Sequence, residues 1–280
     1  MEIGGGFRVP DVMSQSGAQL KEVGTTNRTR SADYESGISD KTKALMRVHP
    51  SNFLISGFTE ETSLQEIVKV GHDHNLPVID DIGSGALLDL SPYGLKSEPL
   101  LSECIDDGAD LVLASGDKLI GGPQAGLIIG KSSLIDTIRK HPLTRALRPD
   151  KATIAGLAAT LQHYALGEAI EKIPIWQMIS MNESILQQRA QRFADAWGSQ
   201  AQVITGQSTV GGGSLPGQTL TTRLCAISLP QQKLELISKE LRTADVPIIS
   251  KIQDSMLQLD PRTVLIDQDI HVLNTLGKLS

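Results

Sequence analysis

The fold is predicted from the stretch Leu111-Val112-Leu113-Ala114-Ser115-Gly116-Asp117-Lys118-Leu119-Ile120-Gly121-Gly122-Pro123-Gln124-Ala125-Gly126. Its apolar start, residues 111–114, is typical of a short buried parallel strand. Lys118 follows just past the carboxyl end of that strand, which is the edge where α/β sheets keep their sites. Glycines then let the backbone turn tightly, and residues 124–130 indicate a returning strand. We therefore expect Lys118 between two strands; spacing alone leaves a solvated loop lysine as the alternative.

Four further motifs accompany this stretch. The segments EIGGGFRVPDVM (2–13), EVGTTNRT (22–29), DDIGSG (80–85) and HPLTRALR (141–148) occur in order around SGDKLIGGPQAG (115–126). Together they resemble the bacterial selenocysteine synthases, the L-seryl-tRNA(Sec) selenium transferase family of fold-type I pyridoxal-phosphate (PLP) enzymes. The resemblance runs from residue 2 to about residue 164 and more loosely to the end. In that family the lysine of this motif forms the Schiff base, so the resemblance implies PLP as cofactor and Lys118 as its attachment point.

The resemblance also implies the domain organisation. It predicts an α/β chain with a fold-type I PLP-transferase large domain, a three-layer α/β/α arrangement around a mostly parallel sheet, in residues 1–165. Linking helices are expected in residues 166–200, and strand and helix patterns predict a smaller α+β domain in residues 201–280. Family members are much longer, so we expect the N-terminal tRNA-binding region and the first part of the large domain to be missing. The isolated chain is accordingly expected to self-associate or aggregate, and not to convert its substrate unaided.

Composition excludes several classes of protein. The 280 residues are 40% hydrophobic and 21% charged, and no apolar run approaches the roughly 20 residues of a membrane span. The N-terminus lacks the pattern of a signal peptide and only two cysteines occur, so a disulfide framework is not expected and the cytoplasm is the predicted compartment. A net charge of −6 argues against binding DNA or RNA through bulk electrostatics.

The cofactor-binding residues are predicted at the ends of strands. Asp80 and Asp81 are adjacent after a buried strand, so their side chains point to opposite sides. PLP needs a carboxylate beside its pyridine nitrogen, and Asp81 is assigned to that position, whereas Asp80 suits the capping of the next turn. The resemblance adds Asn52 for the ring hydroxyl and Ser115 for the phosphate. No metal site is predicted.

Four residues are candidates for catalysis or substrate binding. Asp117, beside the lysine, is expected to tune its pKa or to move protons; an exposed loop aspartate is the alternative. Arg145 and Arg148 lie three apart, a spacing that can share one helix face and suits an oxyanion. The resemblance assigns these two arginines to the selenium donor, and a solvated basic face is the alternative. Arg262 is a candidate for a substrate carboxyl or ester group, with a surface arginine as the alternative.

Several secondary-structure predictions depend on pattern alone. Ser63 and Glu66 form a capping box before an apolar helix face. A strand is predicted at residues 19–23 and a long helix at residues 173–197. Strands are predicted at residues 224–229, 246–251 and 256–259, and the glycines of 211–213 indicate a flexible loop without the helix that a phosphate loop requires.

The leading functional hypothesis is the PLP-dependent conversion of seryl-tRNA(Sec) to selenocysteinyl-tRNA(Sec), by β-elimination and addition of selenium from selenophosphate. A homo-oligomer is expected, since fold-type I sites are usually built at subunit interfaces. One alternative is a related PLP-dependent lyase of a small amino acid or amino sugar acid. The other is a catalytically inactive fragment.

Overall fold

The computed structural model describes residues 2–3, 6–96 and 98–280; Gly4 and Gly5 of the first motif lie outside them. The chain divides into two compact units. Unit 1 contains the residues up to 92, together with 96–167 and 211–217, and unit 2 contains 93–95, 168–210 and 218–280. The predicted division at residues 165 and 200 stays a prediction.

Unit 1 contains the strand that precedes Lys118. Its elements are, in chain order, β1 (Glu2–Ile3), β2 (Phe7–Arg8), α1 (Val9–Ser14), α2 (Ser31–Gly37), β3 (Leu45–Val48), α3 (Leu64–Asp73), β4 (Val78–Gly83), α4 (Leu101–Asp106), β5 (Leu111–Ser115), β6 (Gly126–Gly130), α5 (Ser132–Arg139), α6 (Leu143–Ala146) and α7 (Lys151–Ala165). The strands β1 and β2 form a small antiparallel pair.

A four-stranded sheet organises unit 1, with the order β3-β4-β5-β6. Strands β3, β4 and β5 are parallel, and β6 returns antiparallel to β5. Because β3, β4 and β5 run the same way, their carboxyl ends meet at one edge, where α/β proteins bind ligands. The predicted mostly parallel α/β sheet is therefore confirmed.

Helix α3 shows how the local sequence determines an element. The Ser63 hydroxyl accepts the N–H of Glu66 at 3.3 Å, and the Glu66 carboxylate accepts the N–H of Ser63 at 2.9 Å, so the predicted capping box is confirmed. Leu64 and Ile67 of this helix are buried and share one hydrophobic core with Val78 of β4. Capping thus determines where the helix begins, and its apolar face attaches it to the sheet.

A buried carboxylate, Asp110, lies at the opposite edge of the sheet from Lys118. It accepts the N–H of Val78 at 2.7 Å, lies 2.5 Å from the ammonium of Lys131, and hydrogen-bonds His72 at 3.0 Å. Burial opposes the ionisation of Asp110, but Lys131, the Val78 N–H and His72 together outweigh it and lower the pKa of this carboxyl. Ionised Asp110 therefore stabilises unit 1.

We expect Asp110 to contribute to acid unfolding. Because its folded pKa lies below the ordinary value of 3.8, its contribution is present above about pH 4 and is lost as the pH falls through the folded value. Asp110→Asn should lower the free energy of unfolding at neutral pH and flatten its dependence on pH below about pH 4, as measured by urea unfolding across the acid range. The matched control is Asp106→Asn, exposed on α4, and an acid limb that Asp110→Asn leaves unchanged would contradict this account.

Residues 19–23 do not form the predicted strand; they are extended coil, mostly exposed. A strand needs a hydrogen-bonding partner, and the described part of the sheet ends at β3, whose described neighbour is β4. Residues 19–23 therefore have no described strand with which to form hydrogen bonds.

Unit 2 follows with the elements α8 (Ala169–Lys172), α9 (Pro174–Ser180), α10 (Glu183–Trp197), β7 (Ala201–Ser208), β8 (Leu220–Ser228), α11 (Gln231–Arg242), β9 (Lys251–Gln253), β10 (Met256–Leu259) and α12 (Asp269–Leu279). The strands form an antiparallel sheet with the order β7-β8-β10-β9. Helices α10, α11 and α12 contribute Phe193, Leu234 and Leu276 to its core. The predicted α+β character of this part is confirmed. Among the residues described, no helix is both long and apolar enough to cross a membrane.

Three sequence predictions for unit 2 need correction. Residues 173–197 form two separate helices, because Pro174 begins α9 and Asn182 caps α10 by accepting the N–H of Ile185 at 3.0 Å. The strand predicted at 246–251 is mostly coil; Pro247 has no N–H to donate to a ladder, and β9 begins only at Lys251. Strand β7 was not predicted, and it pairs with β8 along its whole length.

Candidate active site

Lys118 lies in the segment 116–125, a series of turns and bends that joins β5 to β6. The next two residues, Leu119 and Ile120, are fully buried, and their carbonyl oxygens accept the hydroxyl of Tyr164 on α7 at 3.1 Å and 3.0 Å. The N–H of Leu119 also donates to the carbonyl of Ser84 at 3.0 Å. These bonds hold the backbone of the turn, so the half-buried Lys118 side chain starts from a defined position.

Two glycines line the Lys118 side chain. At Gly83, which ends β4 with φ +63°, an added Cβ would lie 3.7 Å from the lysine Nζ and 2.8 Å from the hydroxyl of Ser51. At Gly213, with φ +81°, it would lie 3.0 Å from both Nζ and Cε. Side chains at either position would fill the space beside the ammonium. We call Gly83, Gly213 and the Lys118 side chain between them the lysine cradle.

Asp81 is the carboxylate on the Lys118 side of β4. Its Oδ1 accepts the N–H of Gly83 at 3.0 Å. Burial raises the pKa of Asp81, while the Gly83 N–H and the charge of Lys118 act in the opposite direction. A half-buried carboxylate of this kind is stabilised by a cationic partner. The turn-capping bond that the sequence assigned to Asp80 is therefore made by Asp81.

Asp80 points to the other side of β4 and is fully buried. Both of its oxygens accept hydrogen bonds from Arg47, from Nε and Nη2, each at 2.7 Å. This bidentate pair compensates the buried charge of Asp80. The expected alternation of the two carboxylates is present, and Asp81 is the one that lies toward the lysine cradle.

The remaining predicted cofactor residues lie on the same sheet edge. Ser115 is half-buried as the last residue of β5, and Asn52 is half-buried in the turn that follows β3. Asn52 follows Ser51, whose hydroxyl approaches Gly83. Asp117 is exposed beside the lysine. The structure thus brings Ser115 and Asn52 to the ends of the two strands that flank β4.

Arg145 and Arg148 do not share a helix face. Helix α6 ends at Ala146, so only Arg145 is helical and Arg148 lies in the coil that follows. Both side chains are exposed. Within the described residues, neither guanidinium forms an ion pair, and no hydrogen bond connects either one to Lys118.

Arg262 is buried in unit 2 and bonded to main-chain carbonyls. It donates to the oxygens of Met178 at 2.7 Å, Met181 at 3.2 Å and Thr221 at 2.7 Å, and burial lowers its pKa. Because these bonds account for its position, Arg262 is not retained in the proposal below.

Sequence reasoning missed the polar residues behind the lysine cradle. Glu98 is 4% exposed and accepts hydrogen bonds from Ser84 and from the N–H of Leu215, and it pairs with His49. The sequence predicts only a flexible loop at 211–213. Glu98 has no local signal, because it stands in an irregular segment and its partners are distant in sequence. The three consecutive glycines were the one available sign of a close approach.

Comparison with known proteins gives consistent similarities. Residues 1–265 match the family described as L-seryl-tRNA selenium transferase. The L-seryl-tRNA(Sec) selenium transferase of Aquifex aeolicus is 44% identical over 284 residues, which cover 100% of this chain and 63% of that protein. The protein of the same name from Clostridium perfringens is 45% identical over 285 residues, which cover 100% of this chain and 62% of the relative. The chain thus spans about three-fifths of the length of these curated relatives.

Among solved structures, D-glucosaminate-6-phosphate ammonia-lyase is similar, with a TM-score of 0.56 and 19% sequence identity. The match covers 97% of this chain and 66% of the other. At that identity the likeness concerns the fold alone. The fold is the α/β fold of fold-type I PLP enzymes, as the sequence predicted.

Proposed function

This chain belongs to the L-seryl-tRNA selenium transferase family, and on that premise we propose that it serves the PLP-dependent conversion of seryl-tRNA(Sec) to selenocysteinyl-tRNA(Sec). The conversion removes the seryl Cα proton and β-hydroxyl as water; the selenium of selenophosphate then adds to Cβ, a proton returns to Cα, and water cleaves the phosphorus–selenium bond to release phosphate. The observation that carries the proposal is the lysine cradle. Its ammonium lies between Gly83 and Gly213, on the side of the sheet edge that Asp81 also faces.

The residues at this edge fit PLP. The absence of side chains at Gly83 and Gly213 lets the backbone approach Nζ closely, since an added Cβ would lie 3.7 Å and 3.0 Å from it, and Lys118 is the residue that would hold the cofactor covalently. Asp81 would bind the protonated pyridine nitrogen, Ser115 the phosphate and Asn52 the ring hydroxyl. When bound, PLP supplies an electron sink for the electrons released at the substrate Cα.

The proton transfers are assigned to groups of this chain. Nζ of Lys118, as a neutral amine, would take the Cα proton of the seryl group, because the backbone that carries it is held in place beside the substrate position. Asp117, exposed beside it, passes a proton to the departing hydroxyl. Asp81 would keep the pyridine nitrogen of bound PLP protonated, since a half-buried carboxylate with a raised pKa gains from a cationic partner.

Arg145 and Arg148 are proposed to bind the selenium donor, because two exposed guanidinium groups without ion-pair partners in the described residues are available to an oxyanion. Replacing both with Gln should raise the KM for selenophosphate by about 10- to 100-fold, the worth of one or two charge-assisted hydrogen bonds. The visible spectrum of the bound cofactor should stay unchanged. Arg139→Gln, at an exposed position of α5, is the matched control. An unaltered KM in the double variant would show that the two arginines do not bind the selenium donor.

Several further properties belong to the proposal. Seryl-tRNA(Sec) and selenophosphate are the proposed partners, without DNA. The cytoplasm is the proposed location, because aminoacyl-tRNAs are made and used there. A homo-oligomer is proposed because fold-type I sites are usually built between subunits.

The function is tested by supplying seryl-tRNA(Sec), selenophosphate and PLP and identifying the amino acid released from the tRNA. The chain is assayed alone and fused to the parts of the Aquifex aeolicus relative that the match does not cover. We expect selenocysteine from the fusion protein, dependent on Lys118. Elimination from a free amino acid or amino sugar acid, with no reaction on seryl-tRNA(Sec), would replace the proposal with a lyase of small substrates.

A further inference from the structure

Glu98 is a buried carboxylate that the reaction itself does not use. It lies in the loop before α4 and is 4% exposed. Its Oε2 accepts the hydroxyl of Ser84 at 2.8 Å and lies 3.2 Å from Nε2 of His49, and its Oε1 accepts the N–H of Leu215 at 3.0 Å. Burial opposes the charge of Glu98, but His49, Ser84 and the Leu215 N–H outweigh it and lower its pKa. The carboxylate is therefore ionised at neutral pH.

Through these partners Glu98 joins the two strand ends of the site. His49 follows β3, and its N–H donates to the carbonyl of Asp81 at 2.8 Å. Ser84 follows β4, and its carbonyl accepts the N–H of Leu119, the residue after Lys118. Glu98 thus contacts two residues directly, and the main chain of each is hydrogen-bonded to the site: one to Asp81 and the other to the turn that carries Lys118.

The third partner, Leu215, belongs to the segment 211–217, which we call the glycine segment. Leu215 is buried, 3% exposed, with φ +51°. That left-handed conformation is unfavourable for a leucine and persists only where the surroundings hold it. The bond from its N–H to Glu98 is one such restraint, and burial of its side chain is another. Gly213, two residues earlier, forms one wall of the lysine cradle.

We propose that Glu98 is a positioning residue of the lysine cradle: its ionised carboxylate holds the glycine segment so that Gly213 confines the Lys118 ammonium. Glycine suits this wall, because its φ is +81° and an added Cβ would lie 3.0 Å from Nζ. The wall also has to be held, because Gly213 has no side chain with which to anchor itself. Glu98 supplies the anchor two residues away. The relevance of this anchoring by Glu98 to catalysis rests on the proposed function, whereas its effect on the Lys118 side chain does not.

The experiment uses the chain without cofactor. Competitive acetylation followed by peptide mass analysis gives the reactivity of Lys118 relative to the other lysines, and hydrogen exchange gives the protection of residues 211–217. In Glu98→Gln and Glu98→Ala we expect Lys118 to react about tenfold faster and the glycine segment to exchange at least about tenfold faster, since a charge-assisted hydrogen bond is lost. Exchange of α10, in unit 2, should stay unchanged, which separates this effect from general unfolding.

Two further variants keep the test decisive. Glu61→Gln, an exposed carboxylate of the same unit, should leave both readouts as in the wild type. Gly213→Ala keeps Glu98 and alters the wall itself, and it should change the reactivity of Lys118. Wild-type reactivity and wild-type exchange in a folded Glu98→Gln protein would overturn the proposal. If PLP fails to bind but Glu98→Gln still raises the reactivity of Lys118, the positioning role is supported and the proposed function is contradicted.

Discussion

Replacing Lys118 with alanine should remove the covalent link to PLP and lower turnover by about 10⁴-fold or more, because one group both holds the cofactor and moves the Cα proton. Lys118→Arg should fail equally, although it retains the positive charge, since a guanidinium stays protonated and is not a nucleophile. The proposal requires chemistry at Nζ and not only charge.

The covalent link is measured by borohydride reduction of the PLP-loaded protein and peptide mass mapping of the modified lysine. Lys140→Ala, an exposed lysine just beyond α5, is the control and should bind PLP as the wild type does. Modification of a lysine other than Lys118 in the wild-type protein would contradict the assignment.

Asp80 and Asp81 should give opposite results despite being neighbours. Asp80→Asn leaves Arg47 largely buried without its counter-charge, so the free energy of unfolding should fall by about 3–5 kcal/mol. Asp81→Asn should leave stability equal or slightly higher, because a pKa raised by burial means that the ionised carboxylate is less favourable in the folded protein than in the unfolded chain. It should nevertheless lower turnover by roughly 100-fold, because the pyridine nitrogen loses its carboxylate.

Denaturant unfolding and steady-state kinetics of the two variants separate these roles. Loss of turnover in Asp80→Asn at a temperature where it is fully folded, with normal turnover in Asp81→Asn, would reverse the assignment. Equal destabilisation of both variants would contradict the different environments assigned to the two carboxylates.

The features predicted correctly are those that a few neighbouring residues determine. The capping box of Ser63 and Glu66 is complete within four residues, and the apolar run of β5 followed by glycines specifies its own turn. For the candidate site, position was predictable in the same way: Asp81 and Ser115 lie near the ends of β4 and β5, Lys118 follows β5, and the alternation of side chains along β4 separates Asp81 from Asp80. The roles of these residues stay predictions.

The features that were missed depend on distant partners. Residues 19–23 have a strand pattern, yet whether a strand forms depends on another strand beside it. Glu98 and Leu215 acquire their roles only when the glycine segment packs beside Lys118, and no local pattern in the sequence predicts that contact. Arg262 has the same appearance in sequence whether it binds a substrate or main-chain carbonyls of its own chain. In each case the deciding partner is far along the chain.

The antiparallel return of β6 has a consequence for the order of folding. The turn that carries Lys118 joins two strands adjacent in sequence, so it closes a short loop and costs little conformational entropy. Asp81 and Gly213 reach the same place from distant parts of the chain, and contacts of that kind form slowly. We therefore expect the pairing of β5 with β6 to form early, whereas the bonds from Tyr164 to the lysine turn and the contact of Gly213 with Lys118 require later parts of the chain.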